Sequence, residues 1–324
     1  MAETVVILAG GLGTRLRPLT YTTPKPLLPV LNRPMVLRLI DTLPENVKTV
    51  ILAVSYMAEK IGDFFKHMDI GREVIVVNEE KPLGTGGAIK NVSAYLSDEF
   101  FVFNADNFSS IDLKEMELYH KSHGGIGTVA LWEVENPEPY GVVKLDKNNR
   151  IVKFVEKPKL TGAPSKKINA GIYIFNRKLI DYIPDGEISL ERQVFPNVLD
   201  KGLYGYPFTG YWIDCGKPKE YLETNRFLLE QGMGKIESRI EGYLLEPVAV
   251  GRNLRGRGYT IGPAVSVGNG CSIGKGAVIT NSVLFDRVIV GDNVRIENSI
   301  IGNDVHISDG KSLKDRVVGD GECI

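Results

Sequence analysis

The sequence is poor in cysteine, tryptophan and histidine, and it carries almost no net charge. Its 324 residues include three cysteines, two tryptophans and four histidines, with 39 Lys and Arg against 40 Asp and Glu. The cysteines are odd in number and far apart, which argues against a disulfide framework or a cysteine metal site and favours a reducing compartment. The net charge of −1 argues against the broad basic face of a nucleic-acid-binding protein.

Long apolar runs are missing as well. No stretch approaches the roughly 18 apolar residues that span a bilayer, and the segment Met1–Ala9 lacks the basic start of a signal peptide. We therefore expect a cytoplasmic protein without a membrane partner. The hydrophobic fraction of 43% and the charged fraction of 24% indicate a globular chain, and the length predicts about two domains.

Aromatic residues nearly disappear near the carboxyl end of the sequence. In residues 248–324 only two residues are aromatic, whereas an apolar residue followed by glycine recurs every six positions from Ile261 to Ile273. A longer period of 17 residues relates Val267, Leu284, Ile301 and Val318. This periodicity is typical of short strands that turn three corners per coil and stack into a parallel β-helix.

The first 240 residues alternate between two kinds of segment. The short apolar runs that we predict as strands are Thr4–Ala9, Thr49–Val54, Glu73–Asn78 and Phe100–Asn104. The helix-like segments between them are Pro34–Leu43, Met57–His67 and Gly86–Leu96. This alternation predicts an α/β domain with a mixed, mainly parallel sheet, in which ligands bind beyond the carboxyl ends of the strands.

A glycine-rich loop follows the first predicted strand. Gly10, Gly11 and Gly13 allow close approach of the backbone to a ligand and can direct N–H groups at an anion. The spacing fits neither the dinucleotide-binding nor the Walker pattern. Lys25 lies between two prolines, which favours a cation held near a polyphosphate, although a solvated surface lysine would show the same pattern.

Longer motifs resemble the sugar-1-phosphate nucleotidyltransferases. The run Leu8-Ala-Gly-Gly-Leu-Gly-Thr-Arg-Leu-Arg-Pro-Leu-Thr and the run Pro24-Lys-Pro-Leu are similar to the signature of that family. The resemblance continues through Pro82–Ala88, Asn104–Asp106, Tyr140–Val143, Phe154–Pro158, Asn169–Tyr173 and Tyr211–Asp214. The segment Ser189–Pro196, followed by Leu203–Phe208 and Gly210–Asp214, is most similar to mannose-1-phosphate guanylyltransferases.

This resemblance implies an architecture and a reaction. It implies a Rossmann-like catalytic domain over 1–232, a linker over 233–247 and a left-handed parallel β-helix over 248–324. The implied substrates are a nucleoside triphosphate and a sugar 1-phosphate, best matched by GTP and mannose 1-phosphate, with Mg²⁺ as cofactor. A homo-oligomer, dimer or tetramer, with contacts through the β-helix is also expected.

The resemblance also assigns roles to single residues. Arg15 and Lys25 are the implied catalytic cations, and Asp106 and Asp214 are the implied metal ligands. The implied nucleotide-binding residues are Leu8, Gly10, Gly11, Gly13, Thr14, Glu79, Glu80, Gly84 and Thr85. The implied sugar-phosphate-binding residues are Gly141, Glu156, Lys157 and Asn169. No catalytic histidine is required, because the attacking phosphate is already ionised, and we expect His67, His120 and His123 to be solvated.

Several alternatives stay open on the sequence alone. Each of the two aspartates could cap a loop, and a glutamate at a strand end could be solvated. Ala105 stands where the family usually has glycine, which is compatible with a non-catalytic regulatory relative that binds nucleotide sugars. Another base and sugar, such as glucose 1-phosphate with UTP, dTTP or ATP, fit the same motifs. Acyl transfer by the β-helix would depend on His306.

Overall fold

The computed structural model describes residues 2–324. The chain divides into two compact units. The first unit contains the chain up to Gly11 and residues Leu39–Trp212, and the second contains Leu12–Arg38 and Ile213–Ile324. No helix within residues 2–324 is both long enough and apolar enough to cross a membrane.

Six α-helices and thirteen strands precede the repeat region. The helices are α1 Met35–Asp41, α2 Ala58–Lys66, α3 Gly84–Asn91, α4 Leu113–His123, α5 Phe195–Val198 and α6 Pro218–Glu230. The strands are β1 Thr4–Leu8, β2 Pro29–Val30, β3 Arg33–Pro34, β4 Thr49–Val54, β5 Glu73–Asn78, β6 Glu99–Asn104, β7 Asn107–Ser109, β8 Gly127–Glu133, β9 Gly141–Leu145, β10 Ile151–Glu156, β11 Lys167–Asn176, β12 Leu203–Pro207 and β13 Trp212–Asp214.

Four parallel strands form one half of the nine-stranded sheet in the first unit. Their order is β6-β1-β4-β5, and Thr4 of β1 is in register with Thr49 of β4 and with Phe100 of β6. Nearly every residue of β1 is buried, as expected for a strand that is covered on both faces. The carboxyl ends of these strands meet at one edge of the sheet, which is the edge where such sheets bind ligands.

Strand β11 makes the sheet a mixed one. It pairs antiparallel with β6, β8 and β9, while β10 lies beyond β9 and β12 pairs in parallel with β8. The core of this unit is rich in aromatic side chains, among them Phe100, Tyr173, Phe175 and Phe195. The predicted mixed α/β sheet is confirmed, and β4 and β5 have the predicted bounds.

The bounds of all three predicted helices differ from the prediction, by up to two residues for α1 and α2 and by up to five for α3. Helix α3 begins at Gly84 rather than Gly86, and the N–H groups of Gly86 and Gly87 donate to the carbonyl of Ile188 at 2.7 and 3.2 Å. That tertiary contact supplies partners for helix-end donors that have none within the helix. Helix α3 then ends at Asn91, and only a short 3₁₀ turn, Ser93–Tyr95, follows it.

Pro34 belongs to a hairpin and not to the first turn of a helix. Strands β2 and β3 pair antiparallel, with Val30 opposite Arg33. The two residues between them, Leu31 and Asn32, have φ values of 46° and 59°. Two central residues with positive φ are typical of the type I′ turn that matches the twist of a hairpin. Helix α1 therefore begins one residue later than predicted, at Met35.

The second unit contains the repeat region. Its strands are β14 Tyr243–Leu244, β15 Val248–Val250, β16 Thr260–Ile261, β17 Val265–Val267, β18 Ser272–Ile273, β19 Val278–Thr280, β20 Val283–Leu284, β21 Ile289–Val290, β22 Arg295–Glu297, β23 Ile300–Ile301, β24 His306–Ile307, β25 Ser312–Lys314 and β26 Val317–Val318. They form three parallel sheets, ordered β14-β16-β19-β22-β25, β15-β17-β20-β23-β26 and β18-β21-β24. Three parallel sheets from one winding chain form a parallel β-helix, consistent with the predicted left-handed one.

The 17-residue period is the length of one coil. Val267 is in register with Leu284, and Ile301 with Val318, as the repeat predicts. A corner of the coil recurs at the same interval, where Asn281, Asn298 and Asp315 have positive φ, a conformation that Asn and Asp tolerate better than most residues. Nδ2 of Asn281 donates to Oδ1 of Asn298 at 2.8 Å, and Asn298 donates in the same way to Asp315. Stacked Asn and Asp side chains thus stabilise the corners, while apolar residues fill the interior.

Candidate active site

A cavity of about 380 Å³ lies in the first unit at the carboxyl ends of the parallel strands. Seven residues assigned from the sequence line it, namely Leu8, Gly10, Gly11, Glu79, Gly84, Thr85 and Asp106. Glu80 is exposed and does not line this cavity. The structure therefore brings together most of the predicted nucleotide-binding residues of the first unit, at the edge of the sheet where ligand binding was expected.

Glu79 places a buried carboxylate in the cavity wall. Glu79 is 5% exposed, and its Oε2 accepts a hydrogen bond from the N–H of Leu83 at 3.2 Å. Burial raises the pKa of this carboxyl, and the Leu83 hydrogen bond lowers it by less. A Cβ atom on Gly10 would lie 3.5 Å from Oε2 of Glu79, in van der Waals contact, so the glycine loop lies directly beside this carboxylate. Such a group can accept hydrogen bonds from adjacent N–H donors of a ligand.

Gly84 and Thr85 begin helix α3 beside Glu79. Gly84 has a φ of +69°, and a Cβ atom there would lie 2.6 Å from the carbonyl oxygen of Ile188. Only glycine fits this position without strain. Oγ1 of Thr85 donates to Oε2 of Glu191 and accepts from the N–H of Leu190, both at 2.8 Å. Thr85 thus lines the cavity while its hydroxyl is bound to the segment around residue 190.

Asp106 lies two residues beyond the end of β6 and lines the same cavity. Ala105, before it, donates its N–H to the carbonyl of Leu8 at 3.2 Å. Ala105 is buried, and its backbone does not adopt the left-handed conformation. The methyl group that replaces the glycine usual in the family therefore imposes no backbone strain here.

Three of the predicted sugar-phosphate residues form a second cluster in the first unit. Gly141 lies opposite Glu156 in the β9–β10 pair, and a Cβ atom on Gly141 would lie 2.8 Å from Oε2 of Glu156. The pKa of Glu156 is raised by burial and, to a smaller extent, by the charge of Glu191. Nζ of Lys157 lies 4.0 Å from Oε1 of Glu156. A partly buried carboxylate and an exposed cation therefore lie side by side.

Asn169 connects to the cavity through a chain of hydrogen bonds. Its Nδ2 donates to Oη of Tyr173 at 2.8 Å, and that hydroxyl donates to Oε1 of Glu191 at 3.4 Å. Oε2 of Glu191 accepts from the hydroxyls of Ser189 and Thr85, both at 2.8 Å. The sequence reasoning missed Glu191 as a site residue and used its segment only for the resemblance.

The remaining predicted residues belong to the second unit. Gly13 has a φ of 61°, and its carbonyl accepts a hydrogen bond from Oγ1 of Thr20 at 2.8 Å. A Cβ atom on Gly13 would lie 3.4 Å from Cβ of Lys25, which places Lys25 beside the turn. Thr14 and Arg15 are exposed in the 3₁₀ turn that follows Gly13.

Arg15 and Asp214 flank the same glycine. A Cβ atom on Gly216 would lie 2.9 Å from Nη2 of Arg15 and 3.1 Å from Oδ1 of Asp214. The N–H of Gly216 donates to Oε2 of Glu220 at 3.1 Å, at the start of helix α6. The second unit therefore brings a catalytic cation and a metal ligand of the sequence prediction close to each other.

The carboxylates assigned to Mg²⁺ are the kind of ligand that this ion takes. Within residues 2–324 no group of three or more His, Cys, Asp or Glu side chains is arranged to hold a metal ion. Mg²⁺ at nucleotide sites usually takes one or two carboxylates together with substrate phosphates, so it does not require such a group. The Asp106 carboxylate beside the glycine loop is a donor of the right kind, and the residues present fit the ion.

One expectation about histidine is wrong. His120 is 2% exposed, and its Nδ1 lies 2.9 Å from Oγ1 of Thr128. Burial lowers its pKa to about 4. His123 is half-buried and stacks on Tyr204 with ring centroids 4.2 Å apart. The helical pattern did not reveal that this face of α4 packs against the sheet, whereas His67 is exposed as expected.

Two protein families match the chain. A nucleotidyl transferase family model matches residues 4–231, and a model described as the GMPPB C-terminal domain matches residues 246–322. Among curated proteins, mannose-1-phosphate guanylyltransferase 1 of Arabidopsis thaliana is 37% identical, with 94% of this chain and 92% of that protein covered. The mannose-1-phosphate guanylyltransferase of Mycobacterium tuberculosis is 38% identical, with 90% and 80% covered.

Solved structures show the same fold over about 70% of the chain. HddC from Yersinia pseudotuberculosis, crystallised with GMP-PN, is 32% identical with a TM-score of 0.60, over 70% of this chain and 99% of that one. A UDP-glucose pyrophosphorylase complexed with UDP-glucose gives a TM-score of 0.64 at 23% identity, over 71% and 100% of the two chains. The second likeness concerns the fold alone.

Proposed function

Because the chain belongs to the nucleotidyl transferase family, we propose that it transfers the guanylyl group of GTP to mannose 1-phosphate. The products are GDP-mannose and pyrophosphate. Relatives named mannose-1-phosphate guanylyltransferase, at 37 and 38% identity over at least nine-tenths of the chain, support this choice. The observation that carries it is the buried Glu79 carboxylate in a cavity beside a glycine loop.

The cavity is proposed to bind the guanine nucleotide. Guanine presents N1–H and an exocyclic amine on one edge, and the two oxygens of Glu79 can accept a hydrogen bond from each. Glycines at positions 10 and 11 would let the backbone approach the nucleotide closely. The structure of HddC with GMP-PN, at 32% identity, supports a guanine nucleotide on this fold. Glu80, being exposed, is the weaker candidate for base recognition.

The reaction is a displacement at phosphorus. A phosphate oxygen of mannose 1-phosphate attacks the α-phosphorus of GTP, the bond to the bridging oxygen breaks, and its electron pair leaves with pyrophosphate. Arg15 and Lys25 would neutralise the charge that develops on the transferring and leaving phosphates, because both reactants are polyanions. The attacking phosphate is ionised at neutral pH, so no general base is needed.

The second cluster is proposed to hold the sugar phosphate. The Lys157 cation would pair with the phosphate, and the Glu156 carboxylate would accept hydrogen bonds from sugar hydroxyls. Gly141 would leave room for that carboxylate, and Asn169 would donate to a hydroxyl or accept from one. These groups would hold the attacking oxygen in line with the α-phosphorus, and such alignment is a large part of catalysis in phosphoryl transfer.

Asp106 and Asp214 would hold Mg²⁺. When bound, this ion neutralises phosphate charge and orients the reacting oxygens. Asp106 lines the cavity of the first unit, and Asp214 lies beside the Arg15 guanidinium in the second unit. Loss of product formation in EDTA, with recovery on adding Mg²⁺, is the expected outcome.

A substrate panel tests the proposed function. The protein is incubated with GTP, UTP, ATP or dTTP, each with mannose 1-phosphate or glucose 1-phosphate and Mg²⁺, and pyrophosphate and nucleotide sugar are measured. We expect the highest kcat/KM for GTP with mannose 1-phosphate, and loss of turnover in a folded Asp106→Asn variant. Preference for another pair would replace the substrate assignment. Absence of pyrophosphate with every pair of substrates would contradict the proposal that the protein is a nucleotidyltransferase.

Three further predictions accompany this proposal. We propose that the functional domains are 1–232 and 248–324 with a linker at 233–247, a division supported by the family matches at 4–231 and 246–322. We also propose a homo-oligomer with contacts through the β-helix, to be measured by light scattering on the purified protein. The cytoplasmic location stays a prediction.

A further inference from the structure

Glu191 connects three elements of the first unit. It lies in the π-helix Leu190–Val194, a rare form of helix that is frequent at functional sites. Its two oxygens accept hydrogen bonds from the hydroxyls of Ser189, Thr85 and Tyr173. Thr85 belongs to helix α3 at the nucleotide cavity, whereas Tyr173 belongs to strand β11 in the core.

The hydroxyl of Tyr173 extends this contact to the sugar-phosphate side. The residue is fully buried, and its hydroxyl lies between the Asn169 amide and the Glu191 carboxylate, accepting from one and donating to the other. Burial raises the pKa of Tyr173 well above its ordinary value, so the hydroxyl keeps its proton. Asn169 is therefore oriented by a partner that Glu191 orients in turn.

Glu191 also acts on the second predicted sugar contact. Burial raises the pKa of Glu156 most, and the negative charge of Glu191 raises it further. The exposed Arg192 acts in the opposite direction on Glu156. The position and charge of Glu191 thus bear on both side chains assigned to the sugar.

We propose that Glu191 is a positioning residue that couples the nucleotide cavity to the sugar-phosphate side. Resting on the proposed function, this inference makes Thr85–Glu191–Tyr173–Asn169 a relay of hydrogen bonds between the two substrates. A network of this kind can transmit the effect of a substitution from one end to the other. Thr85 therefore has an effect on sugar-phosphate binding, although it lines the nucleotide cavity.

The test measures KM for each substrate, kcat and thermal stability in matched variants. Glu191→Gln is expected to raise the KM of mannose 1-phosphate about tenfold, the loss of about one charge-assisted hydrogen bond. Thr85→Val is expected to raise the same KM by a similar factor, and Thr85→Ser, which keeps the hydroxyl, is expected to restore it. Glu187→Gln, at an exposed carboxylate nearby, serves as the control and should match the wild type.

The double variant distinguishes a relay from separate local effects. Thr85→Val in the Glu191→Gln background should raise the KM of mannose 1-phosphate no further, because the relay is already broken. Independent, multiplying effects, or an effect of Thr85→Val on the KM of GTP alone, would overturn the inference. If Glu191→Gln fails to fold, Tyr173→Phe removes a single hydroxyl of the relay and should give the same shift.

Turnover by the wild-type protein distinguishes failure of this inference from failure of the proposed function. A wild-type protein without turnover contradicts the proposed function, and the relay is then tested by calorimetric titration with mannose 1-phosphate. Weaker binding by Glu191→Gln and Thr85→Val, with Thr85→Ser unchanged, would still support the relay. Equal binding by all variants would overturn it.

Discussion

Replacing Glu79 with glutamine should remove the preference for guanine. The substitution keeps the size of the side chain and one acceptor oxygen, but it exchanges the other oxygen for an NH₂ group. In the proposed complex that NH₂ group would face a donor of the base, and a buried donor would lose its partner. The 5% exposure of Glu79 means that little water is at hand to replace the lost contact.

The expected magnitude follows from one lost hydrogen bond to a charged group. Such a bond contributes about 1.5–3 kcal/mol, and an unpaired buried donor costs about as much. We therefore expect kcat/KM for GTP to fall roughly 100-fold, equivalent to about 2.7 kcal/mol. The value for ITP, which lacks the exocyclic amine, should fall less, because only one of the two base contacts exists to be lost.

The pH dependence of the same residue gives an independent check. Burial raises the pKa of Glu79 above its ordinary value of 4.5, and only the ionised form accepts from both guanine donors. As the pH falls toward the raised pKa, the carboxyl gains a proton and kcat/KM for GTP should decline. The decline should begin at a higher pH than for an exposed carboxyl, and the Glu79→Gln variant should lack this contribution.

The assay compares kcat/KM for GTP and ITP in the wild type and in Glu79→Gln, from neutral pH down toward the raised pKa of Glu79. Glu80→Gln is the matched control, since Glu80 is adjacent and exposed, and its profile should follow the wild type. Equal ratios of GTP to ITP in the wild type and in Glu79→Gln would refute the assignment. A larger effect of Glu80→Gln would transfer the role to that residue.

The remaining predictions concern stability and local geometry. Gly84→Ala should lower kcat/KM for GTP and destabilise the fold by at least about 1 kcal/mol, because its Cβ would lie 2.6 Å from the Ile188 carbonyl oxygen; unchanged kinetics and melting would contradict this. The pKa of His120 is about 4 in the folded protein and about 6.5 when unfolded. The stability linked to its titration is therefore complete above pH 6.5 and is lost as the pH falls toward 4, by about 3 kcal/mol in total. In denaturant titrations a His120→Gln variant should lose less stability at acidic pH than the wild type. In the β-helix core, Ile301→Ala should lower the free energy of unfolding by about 2–5 kcal/mol and Ile301→Val by about 1 kcal/mol. Equal midpoints of chemical denaturation for the wild type and both variants would contradict the close packing of Ile301.

Much of the fold follows from periodicity in the sequence. The bounds of β4 and β5 and the 17-residue coil were predictable because buried strands and repeats leave continuous apolar patterns. Helix α3 began earlier than predicted because the carbonyl of Ile188, about a hundred residues away, accepts its first N–H groups. The hairpin at Leu31 and Asn32 was missed since a leucine at positive φ gives no turn signal.

The candidate site was predictable where its residues stand in motifs beside strand ends. Leu8, Glu79 and Asp106 each lie at or just after a parallel strand, and topology alone brings such positions to one edge. The sequence could not choose between Glu79 and Glu80, because exposure depends on the packing of residues distant along the chain.

Glu191 shows why a motif alone does not reveal a relay. Its partners are Ser189, two residues away, and the distant Thr85 and Tyr173, and no local sequence pattern would relate those last two to Glu191. The chemistry of each partner is also ordinary: a threonine after a glycine, a tyrosine in a strand and a serine at a helix start. Only the fold makes them converge on one carboxylate, since it brings Tyr173 of β11 and Thr85 of α3 within hydrogen-bond distance of Glu191. A residue that acts through its neighbours is therefore identified by its hydrogen bonds and not by its sequence context.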